Sequence, residues 1–496
     1  MTSQTNTSPK PRLNAQALAT WILPIIIVGI LAVMALVEPR FYSRLNIFNI
    51  MRNFTVTSLL ALAQALVMIV GGFDLSIGAV MATGSVVAAI SMLAVTEPFY
   101  SQPMLIIALG FAAALLVGCF AGAVNGILVA RLKASPFIIT LGTMTVISGL
   151  TFWYTKGAPI YGMPGELVSE IGRGRLFDIP VILWFGLVVM ALLWWLCSQT
   201  KFGRHVYAVG SNPSAARESG INPTRVLVVI YAISGALAAA AGLILTARLG
   251  SGQSAIGGDA AIQSIAAAVI GGVSLRGGIG SVPRVVMAAL FLALMSNALN
   301  LAQIDSKFQT LVLGVFLIGS WPLRESSITM TDVSSSVRSG RIRAQMFELA
   351  MVVAIALMIV IFGVVEPQFL SLGNISNVLT QSSYLVLLAC AQAVVILVRG
   401  FDLSLGGTVS LVSLTAALGM TATGTLPVPA GIVFGLVTGL IVGLFNGFCV
   451  AWLKINPFIV TLATMNILLA ISSTITGGFP VTDLPEGFSD MLSTAA

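Results

Sequence analysis

Apolar stretches separated by short polar clusters run the length of the chain. Many are about 17 to 25 residues long, enough to cross a hydrocarbon core of about 30 Å as helices. The pattern predicts a first span over residues 21–37, closed by Glu38 and Pro39, and then a polar, basic loop over 40–53. A short second run (57–70), a third (76–95) and a long fourth rich in Gly and Ala (104–130) come next. Pro136 sits at a favourable first helical position for the fifth. Beyond a loop over 155–178, the sixth run covers 180–197 and leads into the most polar internal segment, 198–225. Runs seven to ten fall at 226–247, 261–272, 285–301 and 310–321. The eighth is short and enters the glycine-rich segment 271–280, a pattern expected of a broken or re-entrant helix.

Composition agrees with this reading: 57% of the residues are hydrophobic and 8% are charged. Strands of a membrane β-barrel would alternate apolar and polar residues over about ten positions, whereas these runs are continuously apolar. The expected fold class is therefore all-α, a polytopic transmembrane helical bundle. With the N-terminus placed inside, inner loops collect sixteen Lys and Arg residues and outer loops eight, of 24 in all. That asymmetry predicts a cytoplasmic N-terminus and accounts for the net charge of +7 without nucleic acid as a partner. The first hydrophobic run is expected to remain as an uncleaved span. Cys119, Cys197, Cys390 and Cys449 lie in or beside apolar runs with no metal-type spacing, as buried free thiols would.

One short motif occurs twice, Gly-Phe-Asp-Leu-Ser-Ile-Gly at 72–78 and Gly-Phe-Asp-Leu-Ser-Leu-Gly at 400–406. Each sits between two apolar runs and carries one acid, Asp74 or Asp402. The recurrence extends outward. Asn46, Asn49 and Gln64 return as Asn374, Asn377 and Gln392, and KASPFIITLGTM at 133–144 returns as KINPFIVTLATM at 454–465. The chain thus reads as about ten spans followed by about five from a second, parallel copy whose last residue aligns with Arg175. The expected domains are a cytoplasmic tail (1–20), a complete domain (21–323), a cytoplasmic linker (324–344) and a truncated second domain (345–496).

No phosphate-binding GxxxxGK[ST] loop occurs, so this chain is not expected to hydrolyse ATP. No nucleophile–base set or metal-ligating cluster stands out, and no catalytic residue, metal or cofactor is expected. His205 reads as a solvated loop residue. Asp74 with Ser76, and Asp402 with Ser404, admit two readings: caps for the helices that follow, or polar groups at a helix break facing a solute path. Asn125, Thr140, Thr143, Asn297 and Asn300 could hydrogen-bond a hydroxylated solute or join helices to one another.

Taken together, GGFDLSIGA at 71–79, the NG…PFIITLGTM stretch, GSNPSAARESGI at 210–221 and GGVSLRGGIGS at 271–281 resemble the permease subunits of bacterial sugar ABC importers of the ribose/xylose type. The resemblance implies a transport subunit, not an enzyme, in the bacterial inner membrane. Its implied partners are a cytoplasmic ATP-binding cassette ATPase, a periplasmic sugar-binding protein, a second permease domain and the lipid bilayer. It also implies that 198–225 holds the ATPase-coupling loop, formed by Asn212, Pro213, Ser214, Ala215, Ala216, Arg217, Glu218 and Gly220. Asn-Pro can start a short helix there, the alanines leave room for docking, and Gly220 can end it. The rival readings are an ion-coupled sugar carrier using Asp74 and Asp402 as proton sites, and a fused permease with a degenerate second half.

Overall fold

The computed structural model describes residues 15–132, 134–303, 353, 355–398, 400–422, 427–482, 484, 485 and 488. The tail before residue 15, Lys133, the tenth span at 310–321 and the linker at 324–344 lie outside the described residues. Among the described residues, eleven helices are long and apolar enough to cross a membrane. Contacts divide the chain into two compact units, Met1–Gln309 and Thr310–Ala496.

The first unit begins with α1 (Ala15–Val37) and a 3-10 turn (Pro39–Tyr42). Glu38 caps that turn, and its bond to Arg40 holds the carboxyl below the ordinary carboxylate range. α2 (Arg44–Ile69) corrects the loop expected at 40–53, since the helix starts at Arg44 and not near Thr57. Ser43 caps it, and its polar first half is satisfied by other elements. Asn46 exchanges hydrogen bonds with Asn297 at 2.8 and 2.9 Å, and the Arg248 guanidinium donates to Asn53 at 2.8 Å. Arg44 pairs with Asp178 in a two-residue β-hairpin, Arg175–Leu176 against Ile179–Pro180. These partners lie more than a hundred residues away, so local polarity reads as loop.

α3 (Ile77–Thr96), α4 (Pro103–Leu132), α5 (Pro136–Thr155) and α6 (Val181–Gln199) follow close to expectation. The polar segment then forms two short helices, α7 (Lys201–Ser211) and α8 (Pro213–Glu218). α9 (Pro223–Leu249) is the centre of the unit and packs against α2, α3 and α4. Small residues let these backbones approach closely, which is how helices associate where lipid removes the hydrophobic drive. A Cβ on Gly122 would run into the Tyr231 carbonyl, and one on Gly235 into the Gly118 carbonyl.

The eighth crossing is broken, but not where the glycine-rich segment suggested. The irregular backbone comes first, over 251–259, and runs along α3. Gln253 N–H donates to Ser85 Oγ at 3.0 Å, and Gly257 lies directly on Gly78. Only then does α10 (Ala260–Ile270) begin, followed by the glycine loop and α11 (Val282–Leu301). In that loop Gly278 N–H donates to the Ile69 carbonyl at 2.8 Å, and Gly210 of α7 lies against the same oxygen.

The second unit contains α12 (Ile355–Val365), a 3-10 turn (Pro367–Leu370), α13 (Leu372–Leu397), α14 (Leu405–Ala422), α15 (Pro427–Ala451) and α16 (Pro457–Thr476). It repeats the first unit's local chemistry. Ser371 caps α13 as Ser43 caps α2, and Asn374 donates to the Phe369 carbonyl at 2.7 Å as Asn46 does to that of Phe41 at 2.8 Å. The packing differs. α2 buries most of its inner half against α9, α10 and α11, whereas α13 has no buried residue.

Gly122→Val is expected to force α4 and α9 apart at a cost of about 1–3 kcal/mol. Thermal unfolding of the purified protein in detergent should show a lowered midpoint, whereas Gly142→Val, with open space around it, should leave it unchanged.

Candidate functional site

The chain turns back between α2 and α3 through Gly71 and Gly72, and Asp74 lies in this turn with 1% exposure. Its Oδ1 accepts from Ser76 N–H at 2.9 Å and from Ser76 Oγ at 2.6 Å. Its Oδ2 has a longer contact with Ser234 Oγ of α9, 3.5 Å. Asn125 Nδ2 of α4 donates to Ser76 Oγ at 2.8 Å. Thr140 Oγ1 of α5 accepts from Leu75 N–H at 3.1 Å, and the Tyr231 hydroxyl donates to the Phe73 carbonyl at 3.2 Å. Side chains from three helices, α4, α5 and α9, therefore converge on one turn, and Thr140 and Tyr231 satisfy two of its peptide groups. Asp74 Oδ1 closes a turn just ahead of α3, whose N-cap Ser76 has no side-chain cap bond, and the carboxylate is sealed from solvent.

The same constellation stands in the second unit. Asp402 Oδ1 accepts from Ser404 N–H at 2.7 Å and Oγ at 2.6 Å, and Asn446 Nδ2 donates to Ser404 Oγ at 2.8 Å. Thr461 Oγ1 donates to the Phe401 carbonyl at 3.1 Å, in the place of Thr140. One bond differs. Thr464 Oγ1 donates to Asn446 Oδ1 at 2.7 Å, whereas Asn125 Oδ1 is buried without a partner. Thr143, the counterpart of Thr464, bonds instead to the Thr140 carbonyl of its own helix at 3.1 Å. Asn297 is committed to Asn46 and joins α11 to α2.

At the end of the bundle where α2 closes, α7 is amphipathic and buries Val206 and Val209. Its Tyr207 hydroxyl donates to the Gly280 carbonyl at 3.1 Å, and burial pushes the phenol pKa up. Asn212 starts α8 as expected: its Oδ1 accepts from Ser214 N–H and Ala215 N–H, both at 3.0 Å, with Pro213 at the first helical position. Gly220 takes φ +80°, and Ile221 N–H returns to the Ala216 carbonyl at 3.0 Å. Ser214, Ala215, Arg217 and Glu218 are exposed, and neither Arg217 nor Glu218 forms an ion pair among the described residues. Ala216 is buried, so it anchors the helix and offers no surface for docking.

Two polar residues escaped the sequence reading. Asp259 and Gln263 line a pocket of about 310 Å³ at the start of α10, together with Thr57, Leu60, Met81 and Ser264. A signal was present: Gly257-Gly258-Asp259 places an acid directly after a double glycine and just before an alanine-rich helix, one residue shorter than Gly71-Gly72-Phe73-Asp74.

Asp74→Ala removes an acceptor for a buried N–H and O–H and is expected to destabilise the protein by about 1–2 kcal/mol. Asp74→Asn keeps a carbonyl oxygen in place and should lose less than half of that. Thermal unfolding of the two variants side by side measures the difference.

Comparison with known proteins follows from this geometry. The family model described as "Branched-chain amino acid transport system / permease component" matches residues 46–321 and again 374–496. The ribose import permease RbsC of Haemophilus influenzae is 37% identical over 297 residues, which cover 59% of this chain and 89% of the relative. RbsC of Bacillus subtilis is 38% identical over 58% of this chain and 86% of its own length. The D-allose permease AlsC of Escherichia coli is 34% identical, covering 59% and 87%. No solved structure matches the chain. ATPase and substrate-binding partners accompany permeases of this class. With eleven membrane-length helices, a doubly matched sequence and relatives aligned over most of their length, the chain belongs to the transport-system permease family as a multi-pass, non-enzymatic membrane component of an ABC importer.

Proposed function

We propose that the chain forms the translocation path of an ATP-dependent sugar importer in the bacterial inner membrane, with its N-terminus in the cytoplasm. The observation that carries the reading is its 34–38% identity to permeases named for ribose and allose import, along most of their length. Residues 21–323 form one permease domain, 324–344 a cytoplasmic linker, and 345–496 belong to a second domain. The coupling element is α8, from Asn212 to Gly220. Its double cap makes it rigid, and Ser214, Ala215, Arg217 and Glu218 are presented to a cytoplasmic ATPase. ATP binding draws two such elements together and changes the side to which the central path opens. The second permease domain comes from another copy of this chain or from a separate permease. A periplasmic sugar-binding protein delivers the solute. The sealed, satisfied Asp74 favours this reading over an ion-coupled carrier, because a proton site needs access to water from one side.

Vesicles holding the chain with its ATPase and binding protein should take up at least one of ribose, allose, fructose and galactose when supplied with ATP. Uptake that ignores ATP and collapses with the ion gradient would sink the proposal. Within the same assay, Ala215→Trp on the exposed face of α8 should lower uptake at least tenfold and release the ATPase during purification, with an unchanged melting midpoint. That corresponds to an interface loss of at least about 1.4 kcal/mol.

A further inference from the structure

Five arginines from three distant stretches of chain meet at one end of the first unit. Arg44 and Arg52 come from the first and third turns of α2, Arg173 and Arg175 from the β-hairpin and its approach, and Arg248 from the last turn of α9. Arg44 pairs with Asp178, and Arg175 stands 3.7 Å from the same carboxylate. Both guanidiniums lie over the Phe48 ring, 5.7 and 4.7 Å from its centroid. Arg52 donates to the Arg173 carbonyl at 3.3 Å, and its charge faces those of Arg173 and Arg175. Arg248 in turn faces Arg52 while donating to Asn53. Asp178 is the one carboxylate that pairs in this cluster among the described residues. Arg52, Arg173 and Arg248 form no ion pair there, and Glu170, three residues before Arg173, is exposed and unpaired.

Such a gathering runs against two tendencies. Like charges at short range repel, and the outer loops of membrane proteins are poor in Lys and Arg. With the N-terminus inside, this is the outer end of the bundle, and five of the eight basic residues on that side are drawn into one place. The Nε–H of Arg52 is moreover buried with no acceptor among the described residues. A charged donor held out of water without an acceptor is costly, and an oxyanion would remove that cost. Guanidinium forks match phosphate oxygens in pairs.

The apolar surroundings identify what carries the oxyanion. α6, a membrane-length helix, starts at Val181 directly after the hairpin, which places the hairpin at the membrane boundary. Its Leu176 and Phe177 are 52% and 83% exposed, and Leu45, beside Arg44, is 75% exposed. Trp184 Nε1 donates to the Leu176 carbonyl at 3.0 Å, as an aromatic residue of the interfacial belt can. Cations flanked by bare aliphatic and aromatic side chains fit a molecule that is anionic at its head and apolar behind it. An acidic protein surface would answer the charge and leave Leu176 and Phe177, which adjoin a membrane span, facing acyl chains.

We infer that this cluster binds the phosphate of an anionic phospholipid in the outer leaflet. Arg52 and Arg173 grip the phosphate, Arg175 and Arg248 add charge from either side, and the acyl chains lie along Leu176, Phe177 and Leu45. The site depends on the membrane placement of the chain and holds whatever solute the chain carries.

The test is a binding titration of the purified full chain in nonionic detergent with fluorescent dioleoylphosphatidylglycerol. Unlabelled phosphatidylglycerol should displace the probe at a concentration about tenfold lower than phosphatidylcholine. Inorganic phosphate and a polyglutamate peptide should leave it bound. Arg52→Gln and Arg173→Gln should each weaken binding about fivefold, the factor that corresponds to about 1 kcal/mol for each basic residue near an anionic lipid surface. The Arg173 side chain makes no bond within the fold among the described residues, so Arg173→Gln should keep its melting midpoint within a few degrees and remain informative even if Arg52→Gln fails to fold. Arg131→Gln, at the exposed end of α4, is the control and should bind as the unaltered chain does. Equal displacement by the two lipids, full affinity in every folded cluster variant, or an equal loss in Arg131→Gln would overturn the assignment. Displacement by inorganic phosphate would overturn the lipid in favour of a free oxyanion, and displacement by polyglutamate would overturn it in favour of an acidic protein partner.

Discussion

Hydrocarbon offers no partner to an unpaired peptide group, and each one left bare costs several kcal/mol. That constraint explains why most of the described chain is helix. It also explains why two of the places where backbone leaves the helix in the first unit are furnished with side-chain hydrogen bonds. At the turn after α2, Asp74, Ser76, Thr140 and Tyr231 take over the bonding that a helix would have supplied. Along 251–259, Ser85 does so, together with the bridge between Ile160 and Gly252. The polar residues in the spans are first of all substitutes for missing backbone partners, and a solute site can exist only where such substitution is incomplete.

The tandem copies separate local from global determinants. Asp402, Ser404 and Asn446 rebuild the arrangement of Asp74, Ser76 and Asn125 within about 0.2 Å per bond, although the surrounding packing differs. The motif therefore encodes its own geometry. Burial does not travel with it, because α2 and α13 share much of their sequence yet differ from largely buried to unburied. What buries α2 is α9, α10 and α11, for which the second unit shows no equivalent among the described residues.

Features governed by near neighbours were legible in the sequence. The start of α8 at Asn212-Pro213 and its stop at Gly220 obey rules that act within four residues. Most span positions followed from hydropathy in the same way. The start of α2 was not legible, because Asn46, Asn53 and Arg44 look like loop until Asn297, Arg248 and Asp178 come to meet them. The inward face of Ala216 was missed for a similar reason, since a short helix with small residues gives no amphipathic signal. Asp259 was not singled out because in sequence it simply ends a loop; the run of 251–259 along α3 leaves it exposed at the start of α10.

The Ile69 carbonyl, held by Gly278 N–H with Gly210 pressed against it, joins three otherwise separate pieces of chain. It works as a mechanical junction. α7 packs on it through Gly210 and is bonded to the same loop through the Tyr207 hydroxyl and the Gly280 carbonyl. The segment ahead of α8 is thereby in contact with both the end of α2 and the loop behind α10.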